Sequence, residues 1–384
     1  MTWVALATAV ALVAVVPLIA LYLQLVERKV LAGFQVRLGP MRVGPHGLLQ
    51  PLADAIKLAL KEDLTPAEAD RALFWAAPVF ATVAALAAFT VLPLSGSIFV
   101  LDVNVGILVV SAAAATGVLG IIVGGWSSNS HYSLLGALRS AAQLVSYEVA
   151  LGFALLCGLT VAGTLSMQGI VEAQRDRHIW FAFSNFGFML VPFAIFLIAI
   201  TAEANRAPFD LPEAESELTG GYHTEYSGLR WSFFMLAEYA NMLLACGLGV
   251  TLFWGGWLRP FPNTAWIAWP MNAGVPAVLG CYLAYCSVRL ARKLRQPHQR
   301  LILAGLGIAL LLAGLLFLVP AVRERAGGPF WFLMKLSVLV YAMIWFRGTF
   351  PRLRYDQLMR LGWKYMIPAG IISLLVNAVL GLLK

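Results

Sequence analysis

Long apolar runs alternate with short polar ones along this 384-residue chain. Ten runs are long enough, or nearly so, to cross about 30 Å of hydrocarbon. They fall at roughly 3–26, 73–94, 105–126, 141–163, 179–202, 231–255, 266–288, 301–319, 330–347 and 364–382. The pattern changes character between the first two. There FQVRLGPMRVGPHG places Gly and Pro too often for any long helix. GLLQPLADAIKLALK follows, with Leu48, Leu49, Leu52, Ile56, Ala59 and Leu60 at helical spacing and Asp54, Lys57 and Lys61 interrupting the apolar face. This predicts an amphipathic helix over 47–61 lying in the membrane surface. The fold class expected is an all-α polytopic membrane protein with about ten transmembrane helices and one interfacial helix.

Composition agrees, with 60% of residues hydrophobic and 12% charged, where a soluble domain carries about a quarter. The first run has no basic residue before it and Arg28 and Lys29 after it, which reads as a retained signal anchor with its N-terminus outside. The inward loops are then 27–72, 127–140, 203–230, 289–300 and 347–364. They hold 20 of the 27 Lys and Arg, and outward segments hold six. Both termini face outward, in keeping with the positive-inside rule, and the net charge of +8 requires no nucleic acid.

Several chemistries are set aside. Cys157, Cys246, Cys281 and Cys286 lie in or beside apolar runs with no CxxC pair, so no iron–sulfur or zinc site is expected. The five histidines fall in loops, which leaves no helix pair to hold a haem, and no phosphate-binding or dinucleotide loop is present. Any electron-transfer cofactor belongs to a partner.

Acid is concentrated instead. The segment 201–228, TAEANRAPFDLPEAESELTGGYHTEYSG, sets Glu203, Asp210, Glu213, Glu215, Glu217 and Glu225 against Arg206 alone. Glu148 and Glu238 each lie about seven residues inside a predicted span, near 10 Å deep at 1.5 Å per residue, at the face where Glu203 closes the fifth span. Carboxylates within spans are costly and mark ion or proton paths. Asp210 and Glu213 also suit a helix start, as N-cap and capping-box partner around Pro212, but that leaves Glu215, Glu217 and Glu225 unexplained.

These residues carry a resemblance. AEANRAPFDLPEAESELTGGYHTEYSG, with ERKVLAGFQVRLGPMRVGPHGLLQPLADAIKLALKED, SSNSHYSLLGALRSAAQLVSYEVALG, LAEYANM and FWFLMKLSVLVYAMIWFRGTFPRLRYDQLMRLGWKYMIP, resembles the H-subunit family of bacterial type-I NADH:quinone oxidoreductase, respiratory complex I. Mitochondria call it NADH dehydrogenase subunit 1. The blocks run in family order over about two thirds of the chain. The resemblance implies the membrane wall of a ubiquinone or menaquinone tunnel, with Glu27, Arg28, Arg37, Asp54 and the helix 47–61 at its entrance. It implies a proton or electrostatic relay through Glu148, Glu203, Asp210, Glu213, Glu215 and Glu238. It places Arg206, Glu217, Tyr222, Glu225, Tyr226, Arg352 and Asp356 in loops facing a soluble arm. Quinone is then the substrate, the chain binds no cofactor or metal of its own, and NADH, FMN and iron–sulfur clusters sit in partner subunits. The partners are soluble iron–sulfur subunits and antiporter-like membrane subunits, in a bacterial inner membrane.

The family core usually has eight spans, so 266–288 and 301–319 are an insertion. Residues 1–265 and 321–384 carry the core, and 266–320 an inserted hairpin whose basic tip, 289–300, faces inward. The hairpin holds Gly274, Gly280, Gly305, Gly307 and Gly314 and no carboxylate, which suits close helix packing. Three alternatives remain: the same subunit in a complex fed by ferredoxin or another donor, a stand-alone cation or proton transporter, and a passive membrane anchor. A transporter predicts an internal repeat and broken helices, and neither is visible. A passive anchor leaves Glu148 and Glu238 unexplained.

Overall fold

The structure, a computed structural model, describes residues 3–211, 219–261, 263–294 and 296–382. The principal helices are α1 (Trp3–Phe34), α2 (Gln50–Leu60), α3 (Arg71–Ala88), α4 (Gly106–Ser127), α5 (His131–Ala162), α6 (Met167–Asp176), α7 (Leu190–Glu203) and α8 (Gly228–Phe253). There follow α9 (Val275–Lys293), led into by Ala265–Trp269 and the wide turn Pro270–Gly274, then α10 (Pro297–Leu316) and α11 (Pro320–Thr349). The short α12 (Tyr355–Arg360) passes through a second wide turn, Leu361–Met366, into α13 (Ile367–Leu382). Among the described residues, nine helical segments are long and apolar enough to cross a membrane, and the protein is a multi-pass membrane protein.

The tenth predicted span differs. Residues 179–202 do not form one helix. Phe181–Phe183 and Asn185–Gly187 are tight turns, Asn185 and Phe186 have positive φ, and only the 14 residues of α7 remain helical. At 1.5 Å per residue α7 covers about 21 Å, less than the hydrocarbon thickness. Its partners explain the break: Asn185 donates to Asn377 of α13 at 2.8 Å, a buried side-chain bond that a continuous helix would not present.

Two other boundaries move outward. The fourth span begins at His131, not near 141, because Ser133, Gly136, Ala137 and Ser140 line one buried face of an extra helical stretch. Ser133 donates to the Tyr222 carbonyl at 2.8 Å, and a Cβ at Gly136 would meet Gly221 backbone at 2.8 Å. Glu148 therefore lies 17 residues along its helix, not about seven. In the hairpin, α9 runs to Lys293 and α10 starts at Pro297, so the tip is far shorter than 289–300. Pro297 suits a first helical turn and ends the connection there.

Small residues let the spans approach closely, the usual device where lipid supplies no hydrophobic drive between helices. A Cβ on Gly120 of α4 would meet Ala81 nitrogen at 2.9 Å and Ala77 oxygen at 3.0 Å on α3. Within the hairpin, a Cβ on Gly280 would meet Gly314 Cα at 2.8 Å. The larger core lies among α5, α6, α7, α8 and α11, and a smaller one joins α3, α8 and the 222–226 turn.

Candidate functional site: a buried ion cluster beside a polar chamber

Three helix ends and one loop meet at one face of the bundle. Glu27 sits near the C-terminal end of α1, Glu238 near the start of α8, and Arg347 near the C-terminal end of α11. Arg206 comes from the loop after α7. That meeting is the parity expected if α9 and α10 cross as a pair and leave α11 running in the same sense as α1.

The Glu27 carboxylate collects the donors. It accepts from the Tyr239 hydroxyl at 2.7 Å, from Arg206 Nη1 at 3.3 Å, and from Arg347 Nη1. Arg206 Nε lies 3.4 Å from Glu238 Oε1, and its guanidinium stacks 4.2 Å from the Tyr239 ring centroid. Glu27, Arg206 and Glu238 are each less than a tenth exposed. Burying such charges is expensive unless each is paired, and breaking one pair strands the others.

Beside this cluster is a small chamber, about 30 Å³, lined by Glu203, Asn205, Tyr222, Glu238 and Asn241. A polar cavity of that size can hold a water. Glu203 and Glu238 thus share one compartment, and Glu148 lies close enough to Glu203 for their charges to interact.

The loop that carries Glu203, Arg206 and Asp210 is held from two sides. Gln143 of α5 donates to the Ala202 carbonyl at 2.9 Å and the Phe209 carbonyl at 2.8 Å. Leu353 nitrogen donates to the Pro208 carbonyl at 3.0 Å, and Arg352 Nη2 to Asp210 Oδ2 at 2.8 Å. Burial pushes the Asp210 carboxyl above the usual carboxylate range, and Arg352 opposes that rise. On the neighbouring turn, burial pushes the His223 imidazole down to about 4.

The sequence-predicted residues separate into groups. Glu203, Asp210 and Glu238 come together around Arg206, and Glu148 lies next to them. Glu213 and Glu215, with Pro212, Glu217 and the expected helix start, lie outside the described residues. Glu27 turns into the ion cluster, whereas Arg28, the next residue, turns outward to Asp54 of α2 at 2.9 Å. Arg37 donates to Gln35 at 2.6 Å on the exposed loop. Among the described residues Glu225 enters no ion pair. Sequence reasoning missed Tyr239 altogether and counted Arg347 only as an inward charge. Arg347 and Glu27 are 320 residues apart, and no local signal links them.

A polytopic helical bundle with ionised side chains gathered beneath one face defines the class, and comparison with known proteins gives the family. A profile described as NADH dehydrogenase matches residues 7–378. A Solibacter usitatus protein, named as H subunit 2 of NADH-quinone oxidoreductase, is 62% identical over 372 residues, covering 97% of this chain and 95% of its own length. A Koribacter versatilis protein, named as H subunit 1 of NADH-quinone oxidoreductase, is 52% identical, covering 92% and 86%. The NADH-quinone oxidoreductase H subunit of Rhodospirillum rubrum is 41% identical, covering 93% and 88%. The chain belongs to the NADH dehydrogenase family of membrane subunits.

Proposed function

We propose that this chain is the membrane subunit of a proton-translocating NADH:quinone oxidoreductase, where it forms the membrane wall of the quinone tunnel and starts the acidic relay that couples quinone reduction to proton movement. Quinone is the substrate. NADH, FMN and iron–sulfur clusters reside in partners, which are soluble iron–sulfur subunits above the ion cluster and antiporter-like subunits beside it. The membrane is a bacterial inner membrane, with both termini outside.

One observation carries this reading. Glu27 and Arg28 are consecutive residues of α1 that face opposite ways, Glu27 into the Arg206–Glu238 cluster and Arg28 to Asp54 on the amphipathic helix. A change of charge or position at the α2 side therefore has one residue to cross before it reaches paired carboxylates. Glu238 and Glu203 then face each other across a chamber with room for water, where protons can be held or passed.

The test is Glu203→Gln and Glu238→Gln in the intact complex, with Glu148→Gln and Glu213→Gln alongside. Each keeps the shape of the side chain and removes its titration. Quinone reductase activity and proton pumping fall together, while NADH oxidation by a soluble artificial acceptor and assembly are retained. Normal pumping in all four assembled variants rules the relay out.

A further inference from the structure

We propose that the inserted hairpin α9–α10 forms the outer wall of the lateral opening beside α2 and sets the discrimination between long-tailed and short-tailed quinones. This rests on the quinone-facing role given above to α2 and the loop before it.

His46 is the junction. Its carbonyl accepts from Lys29 Nζ of α1, and its ring Nε2 lies 3.4 Å from the Leu290 carbonyl of α9. The turn Pro45–Gly47 that carries it also packs against α10. His46 and Gly47 both have positive φ, so this turn has a shape that few sequences adopt, and it is held from both sides. On the side away from the hairpin, a Cβ on Gly47 would collide with the Pro40 carbonyl. Pro40 and Met41, with Leu38, Arg42 and Gln50, line a cavity of about 380 Å³. One turn is thus shared by the hairpin and the cavity.

The chemistry on the two sides differs in a way that suits a quinone. Arg42 and Gln50 offer N–H donors to a ring carbonyl, and Leu38 and Met41 offer exposed apolar surface. The hairpin, residues 266–319, contains no carboxylate and exposes Leu301, Ile302, Leu306, Ile308 and Leu312 along α10. A headgroup in the cavity leaves its isoprenoid tail to run along this apolar rail. The rail is fixed at its opposite end by Trp331 of α11, whose Nε1 donates to Asn272 Oδ1 at 3.0 Å.

The experiment releases the two ends separately, with His46→Ala at the turn and Trp331→Phe at the opposite end of the hairpin. KM is measured in the intact complex for a quinone with a ten-unit isoprenoid tail and for a one-unit analogue. A hydrogen bond between membrane helices is worth little, so each variant raises the long-tail KM about threefold and the pair about tenfold. The short-tail KM, kcat and artificial-acceptor activity stay unchanged. Trp331 is remote from the cavity, so its agreement with His46→Ala assigns the effect to the hairpin. Ala53→Phe on α2 serves as the separate test of the opening itself. If Ala53→Phe raises the long-tail KM and both hairpin variants leave it unchanged, the hairpin role is overturned and the α2 reading stands. If none of the three moves it, both fall.

Discussion

Helices α8 and α10 both have the length and apolarity of membrane spans, yet 78% of the most apolar part of α8 is buried within the protein and 17% of that of α10. The more apolar of the two, α10, is the more exposed. In water the order would be reversed. In lipid, hydrocarbon is as good a solvent for leucine as the protein interior is, so apolarity marks depth in the bilayer and says little about position in the bundle. Interior position is marked by what lipid cannot solvate. Helix α8 carries Arg230 at its start and Glu238 a little over two turns further on, both with partners from other segments, whereas α10 carries glycines at its contact with α9.

The contrast can be broken first at the ion cluster. Arg206→Leu strands Glu27 and Glu238 in a dry site, a loss of about 3–5 kcal/mol for a broken buried pair. The expected result is a subunit that fails to accumulate in the membrane, read by immunoblot against wild type. Normal abundance and an unchanged melting temperature would mean that the cluster is solvated and the comparison wrong. A smaller effect follows from the hairpin. Gly280→Leu overpacks the Gly314 contact, costing about 1–3 kcal/mol. Hydrogen exchange should accelerate in α9 and α10 and stay unchanged in α8, and equal acceleration in both would show that hairpin and core are one cooperative unit.

The next prediction depends on pH. His223 is held neutral in the folded protein, its pKa lowered from 6.5 to about 4, so the folded state binds fewer protons than the unfolded one between those values. Its contribution to stability is complete above about 6.5 and is lost as pH falls through about 4. Melting at pH 4.5 against pH 7 should show a larger drop for wild type than for His223→Phe, and identical drops would remove His223 as the cause. The mildest probe leaves function intact. Gln296→Cys in an otherwise cysteine-free variant, at the hairpin tip, is expected to be shielded from an impermeant thiol reagent in whole cells and labelled in inverted vesicles. Labelling in whole cells refutes the inward tip.

The same contrast explains what could be read in advance. Apolar runs located every long helix, and the even insertion preserved parity, because both depend on local composition. Helix ends were misplaced where polar residues continue a helix beyond the apolar run. His131–Ser140 and Arg289–Lys293 are helical although they read as loop. The α7 region failed in the opposite direction: its apolar residues promised a full span, and the Asn185–Asn377 contact interrupts it. At the site, the acids of 201–228 stood out by density, and Glu238 and Glu148 by cost. Their geometry did not, because it depends on contacts such as Glu27 with Tyr239 and Arg347, which join distant parts of the chain.

The segment leaving α2 is bolted to the first turn of α8. Arg230 Nε donates to both Asp63 oxygens at 2.7 Å, and its guanidinium lies between the Phe74 and Trp75 rings, 4.8 and 4.4 Å from their centroids. Ser227 Oγ donates to the Glu62 carbonyl at 3.1 Å, and a Cβ on Gly228 would come within 3.2 Å of the Lys61 carbonyl. The amphipathic helix and the helix that bears Glu238 are in this respect two arms of one rigid bracket. Moving either arm alone means tearing out a two-pronged ion pair wedged between aromatic rings. A displacement at the membrane surface is therefore passed to Glu238 as leverage, along a strut that needs no charge to travel through it.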